Sequence, residues 1–181
     1  VRPWCYCMTM PTSQPRKKLI HQEVQVDALL SDSVVVTPDG KLQVQGGAWN
    51  VLSTPVLPYR HPRVGLAMII RVPYDLATPE PFTFTLRLED ADGREMPLGD
   101  APPGANTPDG KLRRIGGQFV VGRPPGINQG DEQLVPVAIN GDGLEFEKPG
   151  VYGFVLELSG REGKRLRLRV THLTPPTVVS G

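Results

Sequence analysis

The chain is poor in the residues most often used for chemistry. Its 181 residues include two cysteines and three histidines. Cys5 and Cys7 stand near the start. No further Cys and no nearby His completes four ligands, so neither a zinc site nor a disulfide framework is expected. Thiol use this sparse points to a reducing cytoplasm. His21, His61 and His172 are far apart in sequence, so a metal site or triad would require convergence in space. There is no G-x-x-x-x-G-K-[ST] phosphate loop and no G-x-S-x-G elbow. The formal net charge is +1, which supplies no long-range pull toward nucleic acid or an anionic membrane. No apolar run approaches the roughly 18 residues of a spanning helix, and the first residues lack the apolar stretch of a secretory signal. No metal and no cofactor is expected.

What the chain has in quantity is turn chemistry, with 20 glycines and 20 prolines. They fall between alternating apolar runs, as punctuation does in an all-β protein. Glu23 to Leu30 alternates Val24, Val26, Ala28 and Leu30 against polar residues, which predicts a strand with one wet face. Arg63 to Val72 is the most apolar stretch, and its β-branched residues favour a central strand. Thr54 to Pro62 carries three prolines and reads as a surface crossing. Phe82 to Glu89, Gln118 to Val121, Gln133 to Asn140, Val151 to Ser159 and Arg165 to His172 are further strands. Tyr152, Phe154, Leu156 and Leu158 are expected inward and Val155 outward. Tyr152, just after Pro149-Gly150, fits a tyrosine corner, in which the hydroxyl bonds a backbone carbonyl across a connection. Nothing sustains helical periodicity.

One phrase occurs twice. Thr37 to Pro55 reads TPDGKLQVQGGAWNVLSTP and Thr107 to Pro125 reads TPDGKLRRIGGQFVVGRPP. In each, Pro and Asp suit the centre of a type I turn and Gly the positive φ that closes it. Ser33 to Thr37 and Lys41 to Gln45 are then the arms of a hairpin. The glycine pair that follows reads as a bulge or sheet corner. Because the flanks do not match, two independent hairpins are favoured over an internal duplication. Residues 97–110 form a long proline-rich loop.

Two surface features stand out as partner contacts. Arg165, Arg167 and Arg169 alternate on one face of the last strand. Such a stripe can follow a phosphate backbone, but no aromatics interleave for base stacking, which speaks against nucleic acid. Pairing with acids of the neighbouring strand, Glu157 first among them, is the favoured account. Gly122 to Gly126, with Arg123, Pro124 and Pro125, is a stiff loop of polyproline character. Glu89, Asp90 and Asp92 crowd one turn but lack the further oxygen donors a calcium ion requires.

The phrases ALLSDSVVVTPDGKLQVQGGAW, GRPPG and PGVYGFVLEL resemble those of a family of small actinobacterial all-β proteins known only as a domain of unknown function. The likeness covers about residues 22–172, and this chain departs from it in the N-terminal arm and the insertion at 97–110. The resemblance implies no activity. Together these readings predict a two-layer antiparallel β-sandwich, immunoglobulin-like or Greek-key-like, with a flattened barrel as the alternative. Residues 1–20 are expected to be a disordered extension, with Met8 or Met10 as alternative starts. Residues 21–173 are expected to form one domain and 174–181 a flexible tail. The expected role is a non-catalytic protein-interaction or structural module with an unidentified protein partner, or a homo-oligomer formed through an edge strand. The alternatives are a small-ligand binder or enzyme built from loops, and a weak nucleic-acid binder acting through Arg165, Arg167 and Arg169.

Overall fold

The computed structural model describes residues 24–173. The expected extension over 1–20 and tail over 174–181 lie outside these, as do Cys5, Cys7 and His21. The described chain is nearly all strand, with a single 3-10 turn at Tyr74–Leu76. No helix among the described residues is long and apolar enough to cross a membrane.

Two sheets enclose the core. The smaller has the order β1 (Gln25–Ser31), β5 (Tyr59–Pro73), β11 (Glu132–Phe146), all antiparallel. The larger has the order β10 (Arg114–Phe119), β6 (Phe82–Glu89), β12 (Gly150–Leu158), β13 (Arg161–His172), β4 (Val51–Thr54), with β7 (Glu95–Met96) also on β6. Neither path returns to its own start, so the arrangement is an open sandwich and not a closed barrel. Val64, Leu66, Met68, Ile70 and Val72 of β5 meet Leu86 and Leu88 of β6 and the Tyr152, Phe154, Leu156, Leu158 row of β12 in one apolar cluster. The period-2 alternation in sequence becomes one buried face per strand, and burying it is the main favourable term.

The Thr37–Gly40 turn forms as expected. Gly40 N–H donates to the Thr37 carbonyl at 2.8 Å, and φ at Gly40 is +78°. It joins β2 (Ser33–Val36) to β3 (Leu42–Gln45), paired from Ser33↔Gln45 to Val36↔Leu42. Asn140 of β11 holds this hairpin to the sandwich. Its amide nitrogen donates to the Val34 carbonyl at 2.9 Å, and its oxygen accepts from the Val34 N–H at 3.1 Å. The second copy of the phrase keeps the turn, with Gly110 N–H on the Thr107 carbonyl at 3.2 Å and φ +64°. Its arms differ: β9 (Lys111–Leu112) pairs with β8 (Gly99–Asp100), inside the stretch read as a loop. The glycine pairs differ too. Gly46 has φ +60° beside Asp32, whereas Gly116 and Gly117 lie in regular register with Thr85 and Phe84. The two copies share a turn and little else.

Three expectations are corrected. The described residues hold thirteen strands, more than the runs read from the sequence, and two of them are fifteen residues long. β5 begins at Tyr59, within the supposed surface crossing, because β11 extends past Asn140 to Phe146 and pairs with it. Pro62 is tolerated there because β1 runs alongside only as far as Gly65, leaving one flank of β5 without a strand that needs a donor. The third concerns Val155, which is fully buried although it faces away from the core row; what covers it is described next. The tyrosine corner is present: the Tyr152 hydroxyl donates to the Lys148 carbonyl at 2.8 Å.

Candidate interaction face

The outer face of the larger sheet carries the arginine stripe. Strand alternation sends Leu166, Leu168 and Val170 inward and leaves Arg165, Arg167 and Arg169 outward and exposed. Across β12 they register with Val155, Gly153 and Val151. On the far side of β12, Arg87 and Glu89 of β6 register with Val155 and Gly153.

These neighbours divide the stripe. Arg165 crosses β12 at Gly153 to reach Glu89, with Nη1 on Oε2 at 2.7 Å. Glycine leaves room for this crossing: a Cβ at position 153 would sit 3.0 Å from Arg165 Nη1, tight enough that the guanidinium would have to shift. Glu89 also accepts from Arg87 Nε at 2.7 Å, Arg165 also binds Glu162, and Arg87 also binds Glu157. Further along, Arg114 Nη2 meets Glu95 at 2.7 Å. Burial pulls the Glu89 carboxyl upward, but the hydrogen bonds from Arg165 and Arg87 outweigh it and leave it below the usual glutamate value. Bonds from Glu162 and Glu89 hold the Arg165 guanidinium more firmly protonated still. This network, with the aliphatic stems beneath it, roofs Val155.

Glu157 was expected to neutralise the stripe. Its hydrogen-bond partner is Arg87, because on the β6 side Glu157 registers with Thr85, two residues from Arg87, while on the β13 side it stands opposite Glu162 and not an arginine. Arg165 is therefore paired through other acids, while Arg167 and Arg169 have no carboxylate partner among the described residues. Beside them, Val51 of β4 and Val151 of β12 are 52% and 40% exposed. Asn50, Val51, Val151, Arg167 and Arg169 line a shallow groove of about 270 Å³.

The other expected contact loop is placed differently. Arg123 Nε and Nη2 donate to the carbonyls of Tyr74 and Asp75 at 3.1 and 3.2 Å, and its guanidinium lies 4.6 Å from the Tyr74 ring centroid. Its donors are engaged in fixing the 3-10 turn, whereas Pro124 and Pro125 are exposed. Asp90 closes its own turn by accepting from the amides of Asp92 and Arg94, each at 2.9 Å. His172 Nε2 lies 3.0 Å from the Pro55 carbonyl oxygen. His61 packs between Trp49 and Tyr59, with ring centroids 5.9 Å from each. Its buried Nδ1 has no hydrogen-bond partner among the described residues. Trp49 Nε1 donates to Asp32 at 3.0 Å. Sequence reasoning missed this cluster because Asp32, Trp49 and His61 have no recognisable spacing. An enclosed packing void of about 10 Å³ lies between the sheets, walled by side chains such as Leu66, Leu86 and Phe154. It has room for about one water and none for a substrate.

Fold and face together define an open all-β sandwich whose larger sheet carries an ion-pair network on its outer surface, with Arg167 and Arg169 outside it among the described residues. The chain belongs to DUF6941, a family of unknown function, whose model matches residues 26–171. No curated protein matches it. Among solved structures it is similar to the Pseudomonas fluorescens alkylpurine DNA glycosylase AlkC bound to DNA containing an abasic site analog, at 11% identity and a TM-score of 0.39. That match covers 82% of this chain and 30% of the other, and a likeness this distant carries no inference about fold or function.

Proposed function

We propose that this protein is a non-catalytic interaction module that recruits an acidic protein partner through the β13–β4 end of the larger sheet. The observation that carries the reading is the division of the stripe. Arg165 is neutralised by Glu89 and Glu162, whereas Arg167 and Arg169 have no carboxylate partner among the described residues and lie next to exposed Val51 and Val151. Arginine beside aliphatic surface is a composition that protein interfaces favour, because the planar head is weakly hydrated and its stem packs. A loop-built enzyme has less in its favour, since the enclosed space holds about 10 Å³ and His172 lies against a backbone carbonyl. A nucleic-acid face would need exposed stacking rings beside the arginines; valines and an asparagine accompany Arg167 and Arg169 in this groove, and the ring in the adjoining one, Trp49, is half-buried and bonded to Asp32.

The test is affinity capture from the native host after nuclease treatment, comparing wild type with R167E/R169E and with R161E as a matched charge control. The expected result is a defined acidic partner that survives nuclease and R161E and disappears with the double reversal. Identical captures from all three proteins, or capture abolished by nuclease, would refute the reading.

A further inference from the structure

The groove over Val151 runs into a second one at the sheet edge, and the backbone there is unpaired. β4 accompanies β13 only over Arg169–His172. The Arg169 N–H donates to the Asn50 carbonyl at 2.8 Å, so the backbone groups of Arg169 point toward β4. In a regular strand alternate residues point their N–H and C=O to the same side, so Arg165 and Arg167 aim theirs along the same edge. Before Asn50 the chain turns away: Ala48 has φ +68°, and its N–H bonds the Leu30 carbonyl of β1 at 2.9 Å. No strand of the described residues therefore pairs with this edge at Arg165–Arg167, although β1 runs close to β13. On the opposite wall β1 pairs only with β5, so Ala28, in phase with Leu30, also faces the gap. The gap is a groove of about 330 Å³ lined by Ala28–Leu30, Ala48–Asn50 and Arg165–Arg167. It closes near Gly163, where an added methyl would lie 3.6 Å from Val26 Cγ2.

We infer that this free edge of β13 accepts an extended segment of an acidic partner protein as an added strand, in line with β4. The inference rests on the interaction face proposed above and specifies its ligand. Main-chain hydrogen bonds to Arg165 and Arg167 hold the segment, as in other cases of strand addition. Three residues of slot span about 10 Å. Period-2 alternation then dictates the sequence of the guest. Its outward side chain in register with Arg167 is a carboxylate; the inward one beside half-buried Leu166 meets Ala28 and Trp49 and is apolar. Arg165, already bound to two glutamates, marks the limit of the charged contact. The residues on either side of the described ones do not have this chemistry: 1–23 carry four basic residues and a single acid, Glu23, and 174–181 carry no charged side chain.

The experiment uses the full chain with a synthetic, end-blocked peptide alternating Glu and Val, and a second peptide of the same composition with the Glu and Val residues in separate blocks. Affinity is read by fluorescence anisotropy, and backbone pairing by amide hydrogen exchange. The expected result is at least tenfold tighter binding of the alternating peptide, with exchange at the Arg165 and Arg167 amides slowed at least tenfold. Equal affinity for the two peptides, or binding without protection of those amides, would overturn strand addition and leave a purely electrostatic face. No binding of either peptide would also overturn it. Protection that arises without peptide as protein concentration is raised, with a dimer in sedimentation, would make a second copy the occupant. Tighter protection of the same amides by mixed-sequence single-stranded DNA would make it a nucleic-acid edge. Either result refutes the partner stated here. Failure of the peptides alongside a successful charge-reversal capture would remove only this inference; failure of both removes the face itself.

Discussion

Val155 separates two accounts of the larger sheet. If its outer face were an ordinary wet surface, truncating Val155 would cost no more than a typical exposed substitution, within about 0.5 kcal/mol. In the structure its exposure is 0%, under arginines 87 and 165 tied together by Glu89. Val155→Ala removes two methyl groups, about 1.6 kcal/mol by transfer. The roof cannot sink into the gap without lengthening its hydrogen bonds, so a cavity term of about 1 kcal/mol is added. The expected loss is therefore about 2–3 kcal/mol, against roughly 3–5 kcal/mol for Phe154→Ala in the core row. Val151→Ala, on the same strand and face but 40% exposed, is the internal control and should change stability by less than about 0.5 kcal/mol. Urea unfolding measures all three, provided the denaturant slope is unchanged so that midpoint shifts report stability. Equal, small losses for Val155→Ala and Val151→Ala would refute the roofed-valine reasoning.

Two further predictions follow from single side chains. Asn140→Ala should cost about 1–3 kcal/mol, because it removes two hydrogen bonds that tie Val34 to the sandwich; amide exchange in Ser33–Gln45 should accelerate selectively, and unchanged exchange there would mean the hairpin is held by packing alone. Burial pushes His61 below the ordinary histidine value, with the Asp32 carboxylate opposing it. The unfolded chain thus takes up a proton near pH 6.5 that the native state resists. Stability should be full above that pH and decline as pH falls from there toward the lower native value. His61→Phe should flatten that part of the profile, and an unaltered profile would assign the dependence to another group.

The sequence by itself determined the strands and their buried rows, because period-2 alternation depends only on neighbouring residues and must match one wet and one dry face. It determined the Thr37–Gly40 and Thr107–Gly110 turns, since Pro, Asp and Gly restrict φ locally wherever they stand. It placed Tyr152 for its bond to Lys148 and set the three arginines of the last strand on one side. Pairing between distant strands was not legible. β5 and β11 lengthen because each offers the other a partner over residues 59–65 and 140–146, and that is a property of neither stretch alone. The identical TPDGKL phrases diverge for the same reason, one closing the β2–β3 hairpin and the other leading into β10 beside β6. The fate of each arginine was likewise decided in three dimensions. The β12–β6 register set Glu157 near Arg87, Gly153 let Arg165 pass to Glu89, and the late start of β4 left Arg167 and the edge beside it without a paired strand among the described residues. Charges and backbone donors find partners only through register, and register exists only once the sheet is assembled.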